Sequence, residues 1–407
     1  MLTEIEIEGF KSFGSAPLKV PLSALNFVVG ANASGKTNFI TALHFLQNAL
    51  RQDVEFAVMD LGGATEVRNK RERQRRVEKP LRIRVHLNTQ ASFQREGPAD
   101  EVAITEFDYT LVVDLRKEPS PHIVEERLRA CLHHKDIGSD YELVRDEKQV
   151  RITDPFPLPG KGEQTFEIPT QEFARPAVNV GFFSVPALIF KSTVQSWSFY
   201  NISPQVARQP FKEVPDATLG THGENLAVVL HALEKGGKAN GKDAIVAALR
   251  GAVPGLTNLD TVRDGLEGKW ALRVQEEGIR GPIHPASISD GTIRLIALLV
   301  VATLGAKKGG LVAIEEPENG LHPHLSEHLV RIFRDKSQHL QLIVSTHNPA
   351  FLDHLAPEEV LLCGKIDGFT RIRRVSELAE IKKFQKHFTL GELWVQGTFD
   401  RLIEGKP

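Results

Sequence analysis

Apolar residues alternate imperfectly with charged ones at the start of the chain, at Leu2, Ile5 and Ile7, which predicts an edge or half-buried strand. Positions 24–29 form a short, mostly apolar run closed by Gly30, the pattern of a buried central strand. After Lys36 the apolar residues Phe39, Leu43, Leu46 and Leu50 recur at helical spacing, one face of an amphipathic helix. Segments 81–87, 102–115 and 141–153 alternate between polar and Gly/Pro turns, so an antiparallel β region is expected. Between positions 155 and 215 prolines are frequent and no period persists. Helical pattern returns at 224–233 and 243–249, and strands are expected at 259–263 and 270–275. From Ser289 onward the rhythm is α/β: a helix, a strand at 311–314, a helix around 325–333 and a strand at 340–345.

The expected fold is therefore α/β, with a mixed central sheet, an antiparallel β region and an inserted helical segment. It divides into an N-terminal lobe (1–155), a mixed or helical insertion (156–250) and a C-terminal lobe (251–407). The 407 residues suffice for two or three domains, or for one large domain with insertions. With 41% hydrophobic and 25% charged residues, wholesale disorder is excluded. Charge is nearly balanced at −2, so contact with nucleic acid requires a local patch. The block 68–79 carries seven basic and two acidic residues; it is either such a patch or a solvated loop or helix face. Cys131 and Cys363 lie too far apart in sequence for a disulfide framework or a CxxC metal site. Cys131, His133 and His134 read as solvated or packed residues. The N-terminus lacks the apolar core of a signal peptide, and runs such as 295–306 fall short of the about 18 residues a membrane span needs. A soluble cytoplasmic protein, with no membrane partner, is expected.

Gly30-Ala31-Asn32-Ala33-Ser34-Gly35-Lys36-Thr37 fits G-x-x-x-x-G-K-[ST] between the apolar strand and the amphipathic helix. A glycine-rich turn lets successive backbone N–H groups converge on a phosphate, and the helix N-terminus adds its positive end. Gly30, Asn32, Ser34, Gly35, Lys36, Thr37 and Asn38 are the expected nucleotide-binding set, with Lys36 on the β/γ oxygens and Thr37 as a Mg²⁺ ligand. Leu311-Val312-Ala313-Ile314 runs into Glu315 and Glu316, placing carboxylates at a sheet edge. Glu315 is expected to hold Mg²⁺ through water, and Glu316 to polarise the attacking water. The strand at 340–345 ends in Thr346-His347-Asn348, and His347 can report on a γ-phosphate from there. Ser287-Ile288-Ser289-Asp290-Gly291-Thr292 precedes an apolar helix. Ser289 or Asp290 is a good N-cap, or else the segment is a second anion site used in trans.

These elements, in this order, resemble the ABC-type ATPase head of the SMC/RecF/overcoming-lysogenisation-defect group, as a stand-alone AAA-family ATPase. The opening I-x-I-E-G-F-K-S-F is similar to that group's first strand, and Ile288-Ser289-Asp290-Gly291-Thr292 resembles a divergent signature motif. Glu315-Glu316-Pro317-Glu318-Asn319-Gly320-Leu321-His322-Pro323 resembles its Walker B and D-loop, and Ser345-Thr346-His347-Asn348-Pro349 its histidine switch. The resemblance implies an ATP sandwich between two heads, with Mg²⁺: Lys36 and Thr37 of one subunit bind ATP, Ser289 and Gly291 of the other close over the γ-phosphate, and Glu316 activates water. Glu315 stands where Asp is usual, and Asp290 replaces the first glycine of the commoner signature. Gln47 and Gln52 are both candidates for the Q-loop glutamine. Between Thr37 and Ser289 there are no heptads, so no long SMC-like arm is expected. No Asp-x-Asp arrangement follows His347, so no fused TOPRIM nuclease is expected.

The leading functional expectation is an ATPase that dimerises around ATP and senses or clamps DNA to control a separately encoded effector, such as a nuclease in antiphage defence. The alternatives are a RecF-like repair clamp, or a scaffold that uses ATP mainly to fix oligomer geometry.

Overall fold

In the computed structural model, which describes all residues except 76–77, 95–99, 117–120, 136, 156–163, 168–173, 180–183, 216–217, 236–238, 264–266, 305–309, 379 and 405–407, the chain opens with antiparallel strands β1 (Leu2–Glu8) and β2 (Leu18–Pro21). Next comes β3 (Leu25–Val29), which is buried at every position because it enters the middle of a sheet covered on both faces. Helix α1 (Lys36–Arg51) follows directly. Three short helices complete this part, α2 (Val54–Asp60), α3 (Ala64–Val67) and α4 (Lys70–Arg75). Asp53 caps α2 by accepting from the Phe56 amide at 2.7 Å.

The antiparallel region consists of β4 (Leu81–Gln94), β5 (Glu101–Asp114), β6 (His122–His134), β7 (Ile137–Arg145), β8 (Gln149–Thr153) and β9 (Gln164–Glu167). With β1 and β2 they form one eight-stranded sheet in the order β2-β1-β4-β5-β6-β7-β8-β9. Alternate residues Leu81, Ile83, Val85 and Leu87 of β4 face the core. The opposite face is laced by cross-strand ion pairs, Arg84–Asp108 at 2.7 Å and Arg129–Asp140 at 2.7 Å among them. Strand β6 has no counterpart in the expected pattern. Its alternation is broken by a register shift opposite Val112 and Val113, and by Glu126, a carboxylate on the buried face.

The remaining elements are α5 (Val185–Gln195), β10 (Ser198–Tyr200), α6 (Pro204–Ala207), β11 (Phe211–Lys212), α7 (Leu226–Lys235), α8 (Ala239–Ala252), β12 (Leu256–Arg263) and β13 (Lys269–Glu276). Helix α9 (Asp290–Leu304), β14 (Leu311–Glu315), α10 (Leu325–Lys336), β15 (Gln341–Thr346), β16 (Val360–Ile366) and β17 (Phe369–Arg374) follow. The central sheet runs β10-β14-β15-β3-β16-β17, and every pair but the last is parallel. Strand β10 thus comes from the 156–250 stretch and joins the same sheet as β3. Two cores flank this sheet. Val28, Ala313 and Ile343 pack with α1 and the antiparallel sheet, while Phe27, Val29, Ile314 and Val344 pack with α7 to α10. Both faces are therefore dry, and the sheet can bind only at its ends.

Beneath the antiparallel sheet lies a buried polar knot. Glu126, 0% exposed, accepts from the Tyr109 hydroxyl at 3.0 Å and from the amides of Ala177 at 2.5 Å and Val178 at 3.3 Å. Arg145, also buried, lies 3.9 Å away. Burial pushes the Glu126 carboxyl above its ordinary value, and Arg145 and the two amides oppose that rise. The knot ties the 177–179 turn to the sheet. Glu126→Ala strands one hydroxyl and two amides, so urea unfolding should show a loss of about 3 kcal/mol or more with an unchanged m-value.

Candidate functional site

The phosphate loop takes its shape from close packing. Gly35 sits at φ 117 as the N-cap of α1, and a Cβ there would run into the Thr370 side chain. Thr370 Oγ1 donates to the Ser34 carbonyl at 2.9 Å and lies 2.7 Å from Ser12 Oγ, which accepts from Asn38 Nδ2 at 2.7 Å. Strand β17 and the first turn of the chain thus brace the loop from outside. Lys36, only 5% exposed, donates to the carbonyls of Gly30 at 2.7 Å and Ala31 at 3.1 Å. A cleft of about 400 Å³ is lined by Asn32, Ala33, Ser34, Gly35, Lys36, Thr37, Asn38, Glu316 and Lys365. Next to it lies a second cavity of about 320 Å³, sharing Asn38 and Lys365 and lined also by Lys11, Arg68, Lys70 and Arg71. The first part of the basic block therefore borders the cavity beside the phosphate-loop cleft. The Arg75 side chain and all of Arg76 lie outside the described residues.

The residue after the acidic strand end, Glu316, lines the same cleft. Glu315 is the last residue of β14, and burial raises its carboxyl above the ordinary value. The hydrogen bond with Thr37 opposes that rise, Glu316 adds to it, and His222 and Lys36 oppose it. A hydroxyl and a carboxylate that meet in this way can share a divalent cation. At Glu316 the backbone turns into the left-handed region, φ 42, which for a side-chain-bearing residue costs on the order of 1–3 kcal/mol. The turn brings Glu316 Oε1 to 3.9 Å from Lys36 Nζ and 3.3 Å from His347 Nδ1, while Oε2 accepts from Asn319 Nδ2 at 2.9 Å. A carboxylate so placed between a lysine ammonium and a histidine can take a proton from water.

Glu318, which the sequence offers only as one letter of a longer motif, is the buried brace of this arrangement. It accepts from the Thr346 hydroxyl and from the His347 amide at 3.3 Å, so it fixes the end of β15 from which His347 projects. Burial raises its carboxyl, with the Thr346 hydrogen bond opposing. Arg294 of α9 is close enough to feel Glu318, Asp290 and Glu316, and burial lowers its guanidinium below its ordinary value. In sequence Glu318 is one acid among several in a polar turn, and Arg294 is the lone basic residue of the apolar helix α9.

Ser289 caps α9, accepting from the Thr292 amide at 3.1 Å with its hydroxyl 2.8 Å from that of Thr292. Gly291 packs against Gly320, whose carbonyl would meet any Cβ at 291. Neither Ser289 nor Gly291 lines the phosphate-loop cleft of its own chain. Gln47 is buried in α1, and its amide donates to the carbonyls of Val194 at 3.3 Å, Gln195 at 3.2 Å and Trp197 at 2.6 Å. Gln52 is the exposed C-cap of α1. Neither glutamine lines the cleft. The chain segment that does leave the sheet beside Glu315 is the one after β10, with Asn201, whose carbonyl lies 2.9 Å from His222 Nδ1. Proline-rich and without periodicity, it gave no signal in sequence.

Two family models match the chain: "AAA ATPase domain" over residues 1–128, and "AAA domain, putative AbiEii toxin, Type IV TA system" over residues 182–353. No curated protein matches. Among solved structures the chain is similar to the Smc head bound to the C-winged-helix domain of ScpA, at 14% identity over 91% of this chain and 97% of that one, TM-score 0.50. It is also similar to the SMC head domain from Thermotoga maritima, at 15% identity over 92% and 98%, TM-score 0.41. A third is the Smc head domain with an extended coiled coil bound to the C-terminal domain of ScpA derived from Pyrococcus furiosus, at 12% identity over 95% and 99%, TM-score 0.48. At such identities the first likeness bears on fold alone. No helix among the described residues is long and apolar enough to cross a membrane.

Gln47 holds the end of α5 and does not reach the cleft. Gln47→Leu should lower stability by about 1–3 kcal/mol through the abandoned carbonyls. Nucleotide affinity, measured by titration calorimetry, should change by less than about twofold.

Proposed function

We propose that this chain, which AAA ATPase family models match over residues 1–128 and 182–353 and which shares its fold with an Smc head, is an ATPase of which two copies enclose ATP and Mg²⁺ and hydrolyse the nucleotide with Glu316 as general base. The observation that carries the proposal is the convergence of Lys36 and His347 on Glu316, which lines the phosphate-loop cleft, with Glu315 hydrogen-bonded to Thr37 beside it. Thr37 and Glu315 would hold Mg²⁺, which when bound would supply positive charge against the phosphate oxygens. The amides of the loop from Asn32 to Thr37 bind the phosphates, and Lys36 exchanges its two carbonyl partners for phosphate oxygens. Glu316, aimed by its left-handed backbone and by Asn319, takes the proton of the attacking water. His347 sits within reach of the same carboxylate and reads the γ-phosphate. Ser289 and Gly291, which do not line their own cleft, act on the nucleotide of the second copy.

In the same proposal the dimer is a clamp that senses or holds DNA and governs a separately encoded effector, such as a nuclease in antiphage defence. What supports the DNA part is the basic block: Arg73 is exposed, and Lys70, in an ion pair with Glu66, is 64% exposed. Because Arg68, Lys70 and Arg71 also border the cavity beside the phosphate loop, DNA and nucleotide would be felt by one surface. A RecF-like repair clamp without an effector is the second reading, favoured by the same patch; autonomous binding to DNA ends distinguishes it.

Glu316→Gln should keep ATP affinity, lower kcat by about 10²–10⁴-fold and accumulate an ATP-bound dimer detectable by mass. Turnover equal to that of the parent removes Glu316 as the base. Charge reversal at Arg71, Arg73, Arg75 and Arg76 should weaken DNA binding by about tenfold or more and flatten its salt dependence. Unchanged affinity takes the patch out of the proposal.

A further inference from the structure

We propose that Arg208 is the positioning residue of the signature loop, and that Asp290 is its counter-charge rather than a group facing phosphate. This rests on the two-copy reading above and adds a linkage within each copy. The linkage starts at the sheet. Strand β10 lies parallel to β14, with Tyr200 opposite Ile314, so the chain leaves β10 beside Glu315. Its next residues are tied to the 218–225 loop: the Asn201 amide donates to the Thr221 carbonyl at 2.8 Å, and the Ser203 amide to the His222 carbonyl at 3.1 Å. That loop is itself fixed by Asn225, whose side chain donates to the Thr218 carbonyl at 2.7 Å and accepts from the Gly220 amide at 2.9 Å. The foot of α6 is therefore anchored at the edge that carries Glu315.

The other end of α6 holds the signature. Arg208 immediately follows the helix, and its side chain is only 10% exposed. Its Nη1 donates to three carbonyls of one turn, Pro285 at 3.2 Å, Ala286 at 3.1 Å and Ile288 at 3.0 Å. Nη2 donates to the Asp290 carboxylate, and Nε donates back to the Pro204 carbonyl at 3.2 Å. One planar guanidinium thus gathers the last turn before Ser289 and the first residue of α9. A lysine, with a single compact ammonium, cannot span these acceptors. The arrangement also accounts for an acid at a position expected to meet phosphate. Asp290 is 54% exposed, yet one of its oxygens is engaged by Arg208, and Arg294 adds positive charge from the next turn of α9. Asp290 is therefore compensated within its own chain. A shift of the Glu315 edge is passed through β10 and α6 to Ser289 and Gly291, the pair that acts on the other copy.

The test uses full-length chains and a slowly hydrolysed ATP analogue. Arg208→Gln and Arg208→Lys should bind the analogue within about twofold of the parent, while nucleotide-dependent dimerisation, read by mass, weakens about tenfold or more in both. Mixing Arg208→Gln with Lys36→Ala should restore a dimer holding one nucleotide, because the first supplies a sound phosphate loop and the second a sound signature. Asp290→Asn leaves Arg208 in place. It should weaken dimerisation less than Arg208→Gln, and the two changes should be non-additive when combined. Dimerisation of Arg208→Gln equal to that of the parent, no rescue by the mixture despite native thermal unfolding, additive effects, or tighter dimerisation of Asp290→Asn would each overturn the proposal. Tighter dimerisation is the result expected of an acid that opposes phosphate. If the parent itself forms no nucleotide-dependent dimer, the two-copy reading fails first, and the parent control alone reveals it.

Discussion

The structure depends on the parallel register that carries β3, β14 and β15 to a common end. Ile314 lies opposite Val344, and Val344 opposite Phe27, so three separate stretches of sequence finish at one edge. Hydrogen bonds between parallel strands admit no half-steps, and both faces of this sheet are buried in separate cores. A slip of one residue would exchange the faces of Val28 and Val29, and with them the two cores. The positions of Lys36, Glu315 and His347 are thus set by the same packing that folds the chain, and no flexible element has to bring them together.

Around that edge the local chemistry is a set of braces. Thr370 and Ser12 steady the phosphate loop from strands and turns far away in sequence. Glu318 steadies the His347 end of β15, and Asn319 steadies Glu316. The energetic strain at Glu316 is tolerated because its amide bonds the Ser345 carbonyl at 2.9 Å, which fixes the turn to the neighbouring strand. The buried knot at Glu126 does the comparable task for the antiparallel sheet, joining it to the turn that precedes α5.

How much of this was legible in the sequence depended on whether local pattern and tertiary role coincide. The phosphate loop, β14 and β15 were legible because an apolar run that ends in glycine, acid or Thr-His reads both as a buried strand and as a candidate site edge. Helices α8 and α10 were legible because each buries one face, and α7 and α9, buried on most sides, through their long apolar runs. Strand β6 was not, since Glu126 stands where alternation demands an apolar residue and is satisfied only by groups from distant segments. Strand β10 has three residues, too few for a period to declare itself. Gln47 and Gln52 drew notice by position after the loop, but the segment that borders Glu315 arrives from Asn201, brought there by pairing with β14 that no local signal reveals. Arg208 is one arginine among many in composition. Its weight comes from three carbonyls and a carboxylate that converge only in the folded chain.

The contact of Gly291 with Gly320 carries a consequence for how this chain can drift in sequence. Gly320 holds φ 77, a conformation that aims its carbonyl at the space a side chain on residue 291 would fill. A replacement at 320 that favours ordinary backbone angles would swing that carbonyl and change what fits opposite it. The two positions bear no functional group, yet their histories are bound together: each can vary only along paths the other permits.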